Sequence, residues 1–419
     1  MREIRRLTDE AQYLDYSRIC VNAYPGMKTD AKDMARRFQE SSENNPMVGH
    51  WGVYEGPAMI CGMLLLDLEM NCFGRFIPAG GVGMVAVDQI HRKRGAARDI
   101  VNFFLDRCLE RGESIALLYP FRPDFYHRMG FGYGAKMEEY SFTPASVPGS
   151  PSTGGLTYLG PDDVGRLEAC YARAAARQHG FCRRSRYQMG RLAKHHGEAR
   201  TLVGYPADGE LRGYMAFEFR KAHETSLLKN DLVIREWIWD GPEALTVFCS
   251  WLNSLADQVN RISYATQQRD FHYLLKDARN GSDYVFPYVT HETNVAGVGL
   301  MYRVVSLRVL LEAMAGRDFN GATAAVDLEL TDTFRPANAG LHRLTFEGGR
   351  LRLDGKPGKA GSGAVPLSID VADLASLLMG SVDLATLHRF GRVGVPSEAV
   401  GLLTKLFRTD EKPECLTSF

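Results

Sequence analysis

The spacing of hydrophobic positions near the start of the chain predicts helices and strands in turn. The segment LTDEAQYLDYSRICVNAY has apolar residues at helical spacing, with Thr8 or Asp9 as its N-cap. Strands are predicted at about residues 47–54 and 59–68, and GGVGMVAV is a short apolar strand that ends at Val87. The amphipathic helix ARDIVNFFLDRCLERG and the strand SIALLYP follow. This mixture of elements predicts an α/β domain.

The same order of elements recurs further along the chain, between residues 156 and 266. Corresponding positions in the two stretches are separated by similar distances, from 147 to 152 residues. The pairs are Leu7 and Leu159, Gly62 and Gly213, Asp88 and Asp240, and Ile115 and Ile262. We interpret this as a duplicated domain; the alternative is two unrelated α/β units of similar size.

Two stretches of the chain have the composition of domain boundaries. SVPGSPSTGG, at residues 146–155, is rich in Ser, Pro and Gly, and THETNVAGVG lies at residues 290–299. The part after the second boundary reads as a small α+β unit with a helix, a strand, a hairpin turning at EGG, and another helix. The predicted domains are residues 1–150, 151–295 and 296–419.

Composition and charge exclude several classes of protein. Lys+Arg and Asp+Glu are both 50, and this zero net charge argues against a dedicated nucleic-acid binder. The sequence has no apolar stretch long enough to predict a membrane helix. The basic N-terminus is not followed by the apolar region of a signal peptide, so a cytoplasmic protein is expected. The eight cysteines are spread singly, which argues against a zinc site or a disulfide framework. His195 and His196 read as a solvated helix end rather than a metal site.

The strongest local signal is the stretch GVGMVAVDQIHRKRGAARDIV. A buried strand leads into Arg92, Lys93 and Arg94, and a helix begins after Gly95. Unpaired backbone N–H groups and the dipole at a helix N-terminus favour phosphate, and basic side chains add charge for its oxygens. The stretch predicts a pyrophosphate site; the alternative is a solvated basic turn before a surface helix. After Asp240 the second copy reads GPEAL, so only the first copy is expected to bind.

The pattern R-x-x-G-x-A at Arg92, Gly95 and Ala97 resembles the acetyl-CoA motif of the GNAT acetyltransferases. The resemblance implies that the preceding strand contacts the pantetheine arm and that the turn contacts the pyrophosphate. It implies acetyl-CoA as the cosubstrate, and no metal ion is expected. The residues assigned to acetyl-CoA on this resemblance are Val85, Ala86, Val87, Arg92, Lys93, Arg94, Gly95, Ala96, Ala97, Arg98, Phe121 and Arg122.

MVAVDQIHRKRG, FYHRMGFGYG and the C-terminal Phe419 together resemble the Eis (enhanced intracellular survival) acetyltransferases. DLASLLMGSVDLATLHRFGRV also looks like a sterol-carrier-like segment. The resemblance implies tandem GNAT-like mixed-sheet domains, the second one degenerate, followed by a sterol-carrier-protein-like α+β domain. That last domain would be architectural, with its C-terminus reaching the active site. The family also implies a homo-oligomer, with a homohexamer as one form.

The Eis resemblance implies that Tyr126 protonates the leaving coenzyme A thiolate. A phenol with an unperturbed pKa of about 10 stays protonated at neutral pH and can donate to a thiolate whose pKa is about 8.5. The alternative for Tyr126 is a core aromatic residue with a satisfied hydroxyl, since Tyr119 and Tyr133 are close in sequence.

The resemblance also implies that the α-carboxylate of Phe419 is the general base. Its unperturbed pKa of about 3.3–3.7 is low for this task, but burial would raise it, and the carboxylate could act through a water. The alternative is a tail that packs for stability alone or is frayed. Cys72 and Cys108 do not lie in a nucleophile context. No activated cysteine is needed, because an amine held next to the thioester can attack it directly.

The acceptor is predicted only as an amine: an aminoglycoside, a polyamine or a lysine side chain. Gly26, Ala35 and Ser418 are not acidic or aromatic, so the sequence does not supply an aminoglycoside pocket there. The predicted function is acetyl-CoA-dependent N-acetylation by direct attack in a ternary complex, with no nucleic-acid or membrane partner. The alternatives are a lipid- or sterol-binding protein and an acetyl-CoA-binding module without turnover.

Overall fold

The computed structural model describes residues 2–150, 155–194, 200–225, 228–353 and 363–419. These residues form two compact units. The first unit comprises Met1–Gly134, Leu300–Pro413 and Thr417–Phe419, and the second comprises Ala135–Gly299 and Glu414–Leu416. His195, His196 and residues 151–154 of the predicted linker lie outside the described residues.

The described residues form strands of two to fifteen residues. In chain order they are β1 (Arg2–Arg6), β2 (Val48–Glu55), β3 (Ala58–Cys72), β4 (Arg75–Val87), β5 (Ile115–Leu118), β6 (Gly132–Tyr133), β7 (Met137–Phe142), β8 (Thr157–Tyr158), β9 (Arg200–Ala207), β10 (Glu210–Lys221), β11 (Asn230–Trp239), β12 (Val259–Thr266), β13 (Val285–Phe286), β14 (Thr290–His291), β15 (Asn294–Gly297), β16 (Met301–Val304), β17 (Ala324–Thr331), β18 (Gly340–Glu347), β19 (Arg350–Leu353), β20 (Val365–Asp370) and β21 (Val393–Gly394).

The helices alternate with these strands. In chain order they are α1 (Glu10–Ala23), α2 (Ala31–Asn44), α3 (Ala96–Glu110), α4 (Pro123–His127), α5 (Val164–Arg177), α6 (Arg186–Ala193), α7 (Gly241–Ser254), α8 (Leu307–Ala313), α9 (Val371–Leu378), α10 (Leu384–Arg389) and α11 (Val400–Phe407). No helix among the described residues has both the length and the apolar character needed to cross a membrane.

A seven-stranded mixed sheet in the order β1-β2-β3-β4-β5-β16-β6 organises the start of the first unit. The first four strands are antiparallel, and β4 pairs in parallel with β5. The buried face of α3, with Ile100, Val101 and Phe104 at most 2% exposed, packs in the same apolar cluster as β3 and β4. The predicted mixed α/β fold is confirmed.

The strand β16 differs from the predicted division of the chain. The boundaries proposed from sequence place residues 296–419 in the third domain, whereas β16 pairs antiparallel with β5 and β6 of the first sheet. All four residues of β16 are buried. A short apolar strand can join any open sheet edge, and its own sequence does not identify the partner.

Strands β4 and β5 separate soon after they pair. Ala79–Gly81 pair with residues 115–117, and beyond Gly81 no pairing with β5 continues although β4 runs on to Val87. On its other side β4 contains a bulge: Met84 and Val85 lie opposite the single residue Met63 of β3. Met84 has a positive φ of 49°. The result is a cleft between β4 and β5 with an irregular strand along one wall.

The last part of the first unit contains a five-stranded sheet in the order β19-β18-β17-β20-β21. The helix α9, all of whose residues are buried, also packs against β16 and β6 of the larger sheet. The approach is close at Gly132, where a Cβ would lie 1.9 Å from the backbone oxygen of Ala372. The C-terminal region is therefore built against the first sheet within this unit.

The second unit repeats the layout of the first sheet. Its seven strands run in the order β15-β7-β12-β11-β10-β9-β8, with β11 and β12 parallel. Strand β7, which the predicted boundary at residue 150 placed in the first domain, pairs with β12 and β15 of this sheet. Before α7, where the first unit has its basic turn, Asp240 forms ion pairs with Arg173, Arg177 and Arg212.

Most of the predicted elements are present, and several observed elements differ from the prediction or were not predicted. Asp9 is confirmed as the N-cap of α1, where its side chain accepts a hydrogen bond from the Gln12 amide. Strand β4 begins at Arg75, well before the predicted start, because it forms a long hairpin with β3. Helix α2 was not predicted; only Met34 and Ala35 of its residues are fully buried, so its apolar signal is weak.

Replacing Gly132 by alanine should destabilise the first unit, because the new Cβ would overlap the backbone of α9. Overpacking of this kind costs roughly 1–3 kcal/mol in the free energy of unfolding. Urea unfolding would measure the change. Gly401→Ala adds the same methyl group where nothing lies within 4 Å and serves as the control. An unchanged unfolding midpoint for Gly132→Ala would contradict the described packing.

Candidate active site

The C-terminal carboxyl group lies in the cleft where β4 and β5 separate. A Cβ on Gly83 would be 2.4 Å from the carboxyl carbon of Phe419 and 2.9 Å from its oxygen. The Phe419 ring packs against Tyr119, just after β5, with ring centroids 5.3 Å apart. The Tyr119 hydroxyl donates a hydrogen bond of 3.4 Å to the carbonyl of Thr417, which is buried. The tail is therefore seated against both walls of the cleft, and Gly83 is the position that admits it.

Two tyrosine hydroxyls hold the bulge of β4. Tyr16 of α1 donates to the carbonyl of Met84 at 2.7 Å, and Tyr24 donates to the carbonyl of Val85 at 2.5 Å. Burial raises the pKa of Tyr24 to about 12 and that of Tyr16 well above its ordinary value. Both phenols therefore remain protonated donors at neutral pH. Gly62 leaves room for the Tyr16 ring, which a Cβ there would approach to 2.3 Å.

Tyr126 lies on the short helix α4 and is 3% exposed. The rings of Phe121, Phe125 and Phe131 meet it edge-on, at centroid distances of 5.2 to 6.0 Å. Burial is the main cause that raises the pKa of its phenol above the ordinary value. Phe121 also contacts the ring of Tyr24 at 6.4 Å. A continuous set of contacts thus leads from the bulge of β4 to Tyr126.

The basic turn before α3 has the geometry of an anion site. Arg92, Lys93 and Arg94 are exposed, and Gly95 has a φ of 89° as the N-cap of α3. The amides of residues 98 and 99 bond to the Gly95 carbonyl, so the N–H groups before them have no intrahelical acceptor. A glycine backbone, free amides and three cations fit the pyrophosphate of acetyl-CoA.

Arg2 of β1 binds this turn through its guanidinium, a contact that was not predicted from the sequence. Its guanidinium donates to the carbonyl of Arg94 at 2.8 Å and to the side chains of Asp99 at 2.6 Å and Glu55 at 2.7 Å. It also lies 3.6 Å from the position of a Cβ on Gly95. A strand at the edge of the sheet therefore orders the start of α3.

The other residues assigned to acetyl-CoA lie on both sides of the cleft. In the bulged end of β4 Val85 and Ala86 are buried, and Val87 is half-buried. In the first turn of α3 Ala96 is buried, Ala97 is half-buried and Arg98 is exposed. Across the cleft Phe121 and Arg122 are exposed, and Arg122 is paired with Asp124 at 2.9 Å.

Three further residues of the site were missed from the sequence: Tyr16, Tyr24 and Gly83. The two tyrosines stand on a helix and just after it, with no motif to mark them, and Gly83 is one of several glycines in an apolar run. Each acts through a contact distant in sequence, so no local signal identifies them.

The eight cysteines are all buried and form no disulfide bond among the described residues, and their burial agrees with the interpretation of most of them as small core residues. Burial raises the pKa of Cys72 to about 12 and that of Cys108 well above its ordinary value. Both thiols are therefore protonated at neutral pH, which does not suit a nucleophile.

Comparison with family models matches residues 3–134 to an acetyltransferase (GNAT) domain and residues 175–304 to another acetyltransferase (GNAT) domain. The chain therefore contains two GNAT acetyltransferase domains. Residues 310–416 match a sterol carrier protein domain. The predicted tandem GNAT domains and sterol-carrier-like domain are confirmed, as is the assignment of the chain as an N-acetyltransferase enzyme. GNAT acetyltransferases generally use acetyl-CoA as the acetyl donor.

Similar proteins span the whole chain. A protein of Streptomyces avermitilis described as an uncharacterized N-acetyltransferase is 26% identical over 407 residues and covers 93% of each chain. A GCN5-related N-acetyltransferase from Anabaena variabilis has the same fold, with a TM-score of 0.82 and 19% identity over 100% of both chains. Eis1 from Mycobacterium abscessus shares the fold with a TM-score of 0.76 and 21% identity, also over 100% of both chains. The resemblance to the Eis architecture is thus confirmed in domain composition and fold.

Gly83→Ala should displace the C-terminal carboxylate, because the new Cβ would overlap the carboxyl carbon of Phe419. We expect a fall in kcat of about a hundredfold, the cost of moving a reacting group by roughly 1 Å. The measurement is steady-state release of coenzyme A, alongside a melting curve that should change little. Gly401→Ala is again the control, and wild-type turnover in Gly83→Ala would place the functional groups elsewhere.

Proposed function

We propose that this GNAT enzyme transfers the acetyl group of acetyl-CoA to an amine by direct attack in a ternary complex. Tyr126 is the general acid, and the α-carboxylate of Phe419 is the general base. The observation that carries the proposal is the contact of the Phe419 carboxyl group with Gly83, in the cleft between β4 and β5. A tail seated there favours turnover over an acetyl-CoA-binding module without activity.

The cleft supports binding of the acetyl-CoA arm. Beyond Gly81 the strand β4 is not paired with β5, so the backbone of Val85, Ala86 and Val87 is available to the pantetheine amides on that side. In a trans peptide the N–H points opposite to the C=O. Since Tyr16 binds the Met84 carbonyl, the amide of Val85 points away from Tyr16 and can donate to the thioester oxygen.

Proton transfer from Tyr126 would accompany departure of coenzyme A. As the C–S bond breaks, the sulfur gains charge, and the phenol supplies the proton that converts thiolate to thiol. Burial favours the protonated phenol and thereby keeps the acid loaded at neutral pH. The phenolate that remains regains its proton from solvent after the thiol leaves.

The Phe419 carboxylate would accept the proton that the amine loses, directly or through a water. The amine nitrogen forms a bond to the acetyl carbon as its N–H bond breaks, and the carboxylate takes that proton. The half-buried Phe419 ring against Tyr119 anchors the base without using a side-chain carboxylate. Holding nucleophile and thioester together supplies the rest of the rate enhancement.

The acceptor is an amine of the aminoglycoside, polyamine or lysine class. Ala35 is buried in α2, Gly26 lies in a turn, and Ser418 is exposed, so none of the three supplies a carboxylate to a polycation. The aromatic rings of Tyr24 and Phe121 are available beside Tyr126. A homohexamer remains a prediction from the family resemblance, and a cytoplasmic location remains a prediction from the sequence.

Tyr126→Phe should lower kcat by about 10²–10⁴-fold, the usual contribution of a general acid. The acid form is lost as pH rises through the phenol's pKa, and burial raises that pKa. Turnover limited by Tyr126 should therefore decline only above about pH 10. Tyr264→Phe removes a buried hydroxyl in the second unit and should leave kcat unchanged. Equal turnover in Tyr126→Phe and wild type would exclude Tyr126 as the acid.

Converting the α-carboxylate of Phe419 to a carboxamide should lower kcat by about 10²–10⁴-fold, because a carboxamide cannot accept the proton that the attacking amine loses. The variant is made by ligating a synthetic C-terminal peptide, and the same ligation with the free acid is the control. Full activity of the amide would refute the proposed base. Activity lost in both ligated proteins would instead indicate damage from the ligation, which a melting curve would detect.

A further inference from the structure

The turn that carries Tyr126 is closed by its own backbone hydrogen bonds. The carbonyl of Tyr126 accepts from the amides of Met129 at 2.9 Å and Phe131 at 3.1 Å. The carbonyl of His127 accepts from the amide of Gly130, which has a φ of 82°. These bonds shape the turn, but they do not attach it to the rest of the unit.

Core packing of Tyr126 and the pairing of β6 with β16 attach the turn on its apolar side, and Arg303 of β16 adds a polar attachment to its backbone. Its Nη1 donates to the carbonyl of Met129 at 2.5 Å, and its Nη2 donates to Oδ2 of Asp332 at 2.7 Å. A Cβ on Gly130 would lie 1.5 Å from Nη1. A glycine is therefore required at position 130 for two reasons: the guanidinium leaves no room for a Cβ, and the backbone there is left-handed.

Asp332 is itself held in place by the turn that follows β17. Its Oδ1 accepts from the amide of Arg335 at 2.8 Å, and Oδ2 accepts from Asn338 at 3.3 Å. The Asn338 amide group also donates to the carbonyl of Val304, next to Arg303, at 3.4 Å. The carboxylate thus has a fixed position in the C-terminal region, and it orients the guanidinium against the Tyr126 turn.

Stability alone does not account for this ion pair. The side chains of Arg303 and Asp332 are 1% and 0% exposed, and taking two charges out of water costs several kcal/mol for each ion. Burial lowers the pKa of Arg303 from its ordinary value, and Asp332 opposes that effect. The Nε of Arg303 has no hydrogen-bond partner among the described residues. What the pair does supply is a fixed geometry at the carbonyl of Met129.

We propose that Arg303, held by Asp332, is a positioning residue that fixes the Tyr126 turn for proton donation to the leaving thiolate. The inference rests on the proposed role of Tyr126 as general acid. It gives the sterol-carrier-like region a second contribution to the reaction besides the C-terminal carboxylate. Neither Arg303 nor Asp332 touches substrate; both act through the backbone at Met129.

The test uses Arg303→Lys and Asp332→Asn in the full chain, each in the wild-type and in the Tyr126→Phe background. Arg303→Lys keeps the positive charge, so it provides a test even if Asp332→Asn does not fold. Its single ammonium lacks the planar guanidinium that binds both the Met129 carbonyl oxygen and Oδ2 of Asp332. In the wild-type background we expect kcat to fall about ten- to a hundredfold, as for a small misplacement of a reacting group. The KM for acetyl-CoA should change by no more than about twofold, because neither residue is proposed to contact acetyl-CoA; a twofold change is within the usual scatter between independent sites.

In the Tyr126→Phe background, the same substitutions should lower kcat by less than about twofold, since residues acting through one group are not additive. Equal losses in both backgrounds, or unchanged kcat in otherwise wild-type protein, would overturn the positioning role. Wild-type turnover in Tyr126→Phe itself would overturn the proposed acid, and this inference with it. Asp327→Asn, which breaks the partly buried pair with Arg343 within the C-terminal sheet, is the control and should lower the Tm but not kcat.

Discussion

The separation of β4 and β5 after Gly81 is the constraint on which the rest of the site depends. While two strands remain paired, their backbone groups are used up in the ladder and no ligand can lie between them. Once they separate, β4 no longer pairs with β5 on that side. The bulge at Met84 and Val85 then changes the direction of the backbone groups of β4. The tyrosines at positions 16 and 24 hold that irregular strand in shape from the α1 side.

The C-terminal region contributes to the site in two physically different ways. Its last residue places a carboxyl group against Gly83, and its buried Asp332 orients Arg303 at the turn of Tyr126. In the proposed mechanism the carboxyl group reacts, and the ion pair positions the turn that carries the acid. On that proposal the C-terminal region is part of the active site, and its sterol-carrier fold is the scaffold that holds both groups.

Local signals were sufficient to predict much of the fold, including the elements on either side of the basic turn. The N-cap at Asp9, the helix α3 and the basic turn before it follow from residues close together in sequence. The roles of Tyr126 and Phe419 came from family resemblance, because neither residue is distinctive by itself. They remain proposals on that basis.

The remainder depends on contacts between residues far apart in the chain, which periodicity cannot identify. Three contacts are of this kind: the pairing of β16 with β5, the fit of Phe419 against Gly83, and the hydrogen bond from Arg2 to the basic turn. Arg303 illustrates the difficulty: in sequence it is one arginine in an apolar strand, the kind of pattern that predicts exposure. It is buried because two distant groups, Asp332 and the Met129 carbonyl, meet it there.

The central claim, acetyl transfer to an amine, is tested most directly by measuring release of coenzyme A from acetyl-CoA with a panel of acceptors. The panel comprises an aminoglycoside, spermidine, a lysine peptide and a blank without amine, with acetyl-CoA binding measured in parallel. We expect release well above the blank for at least one amine, together with the acetylated amine as product. Measurable acetyl-CoA binding with release no greater than the blank for every amine would contradict it.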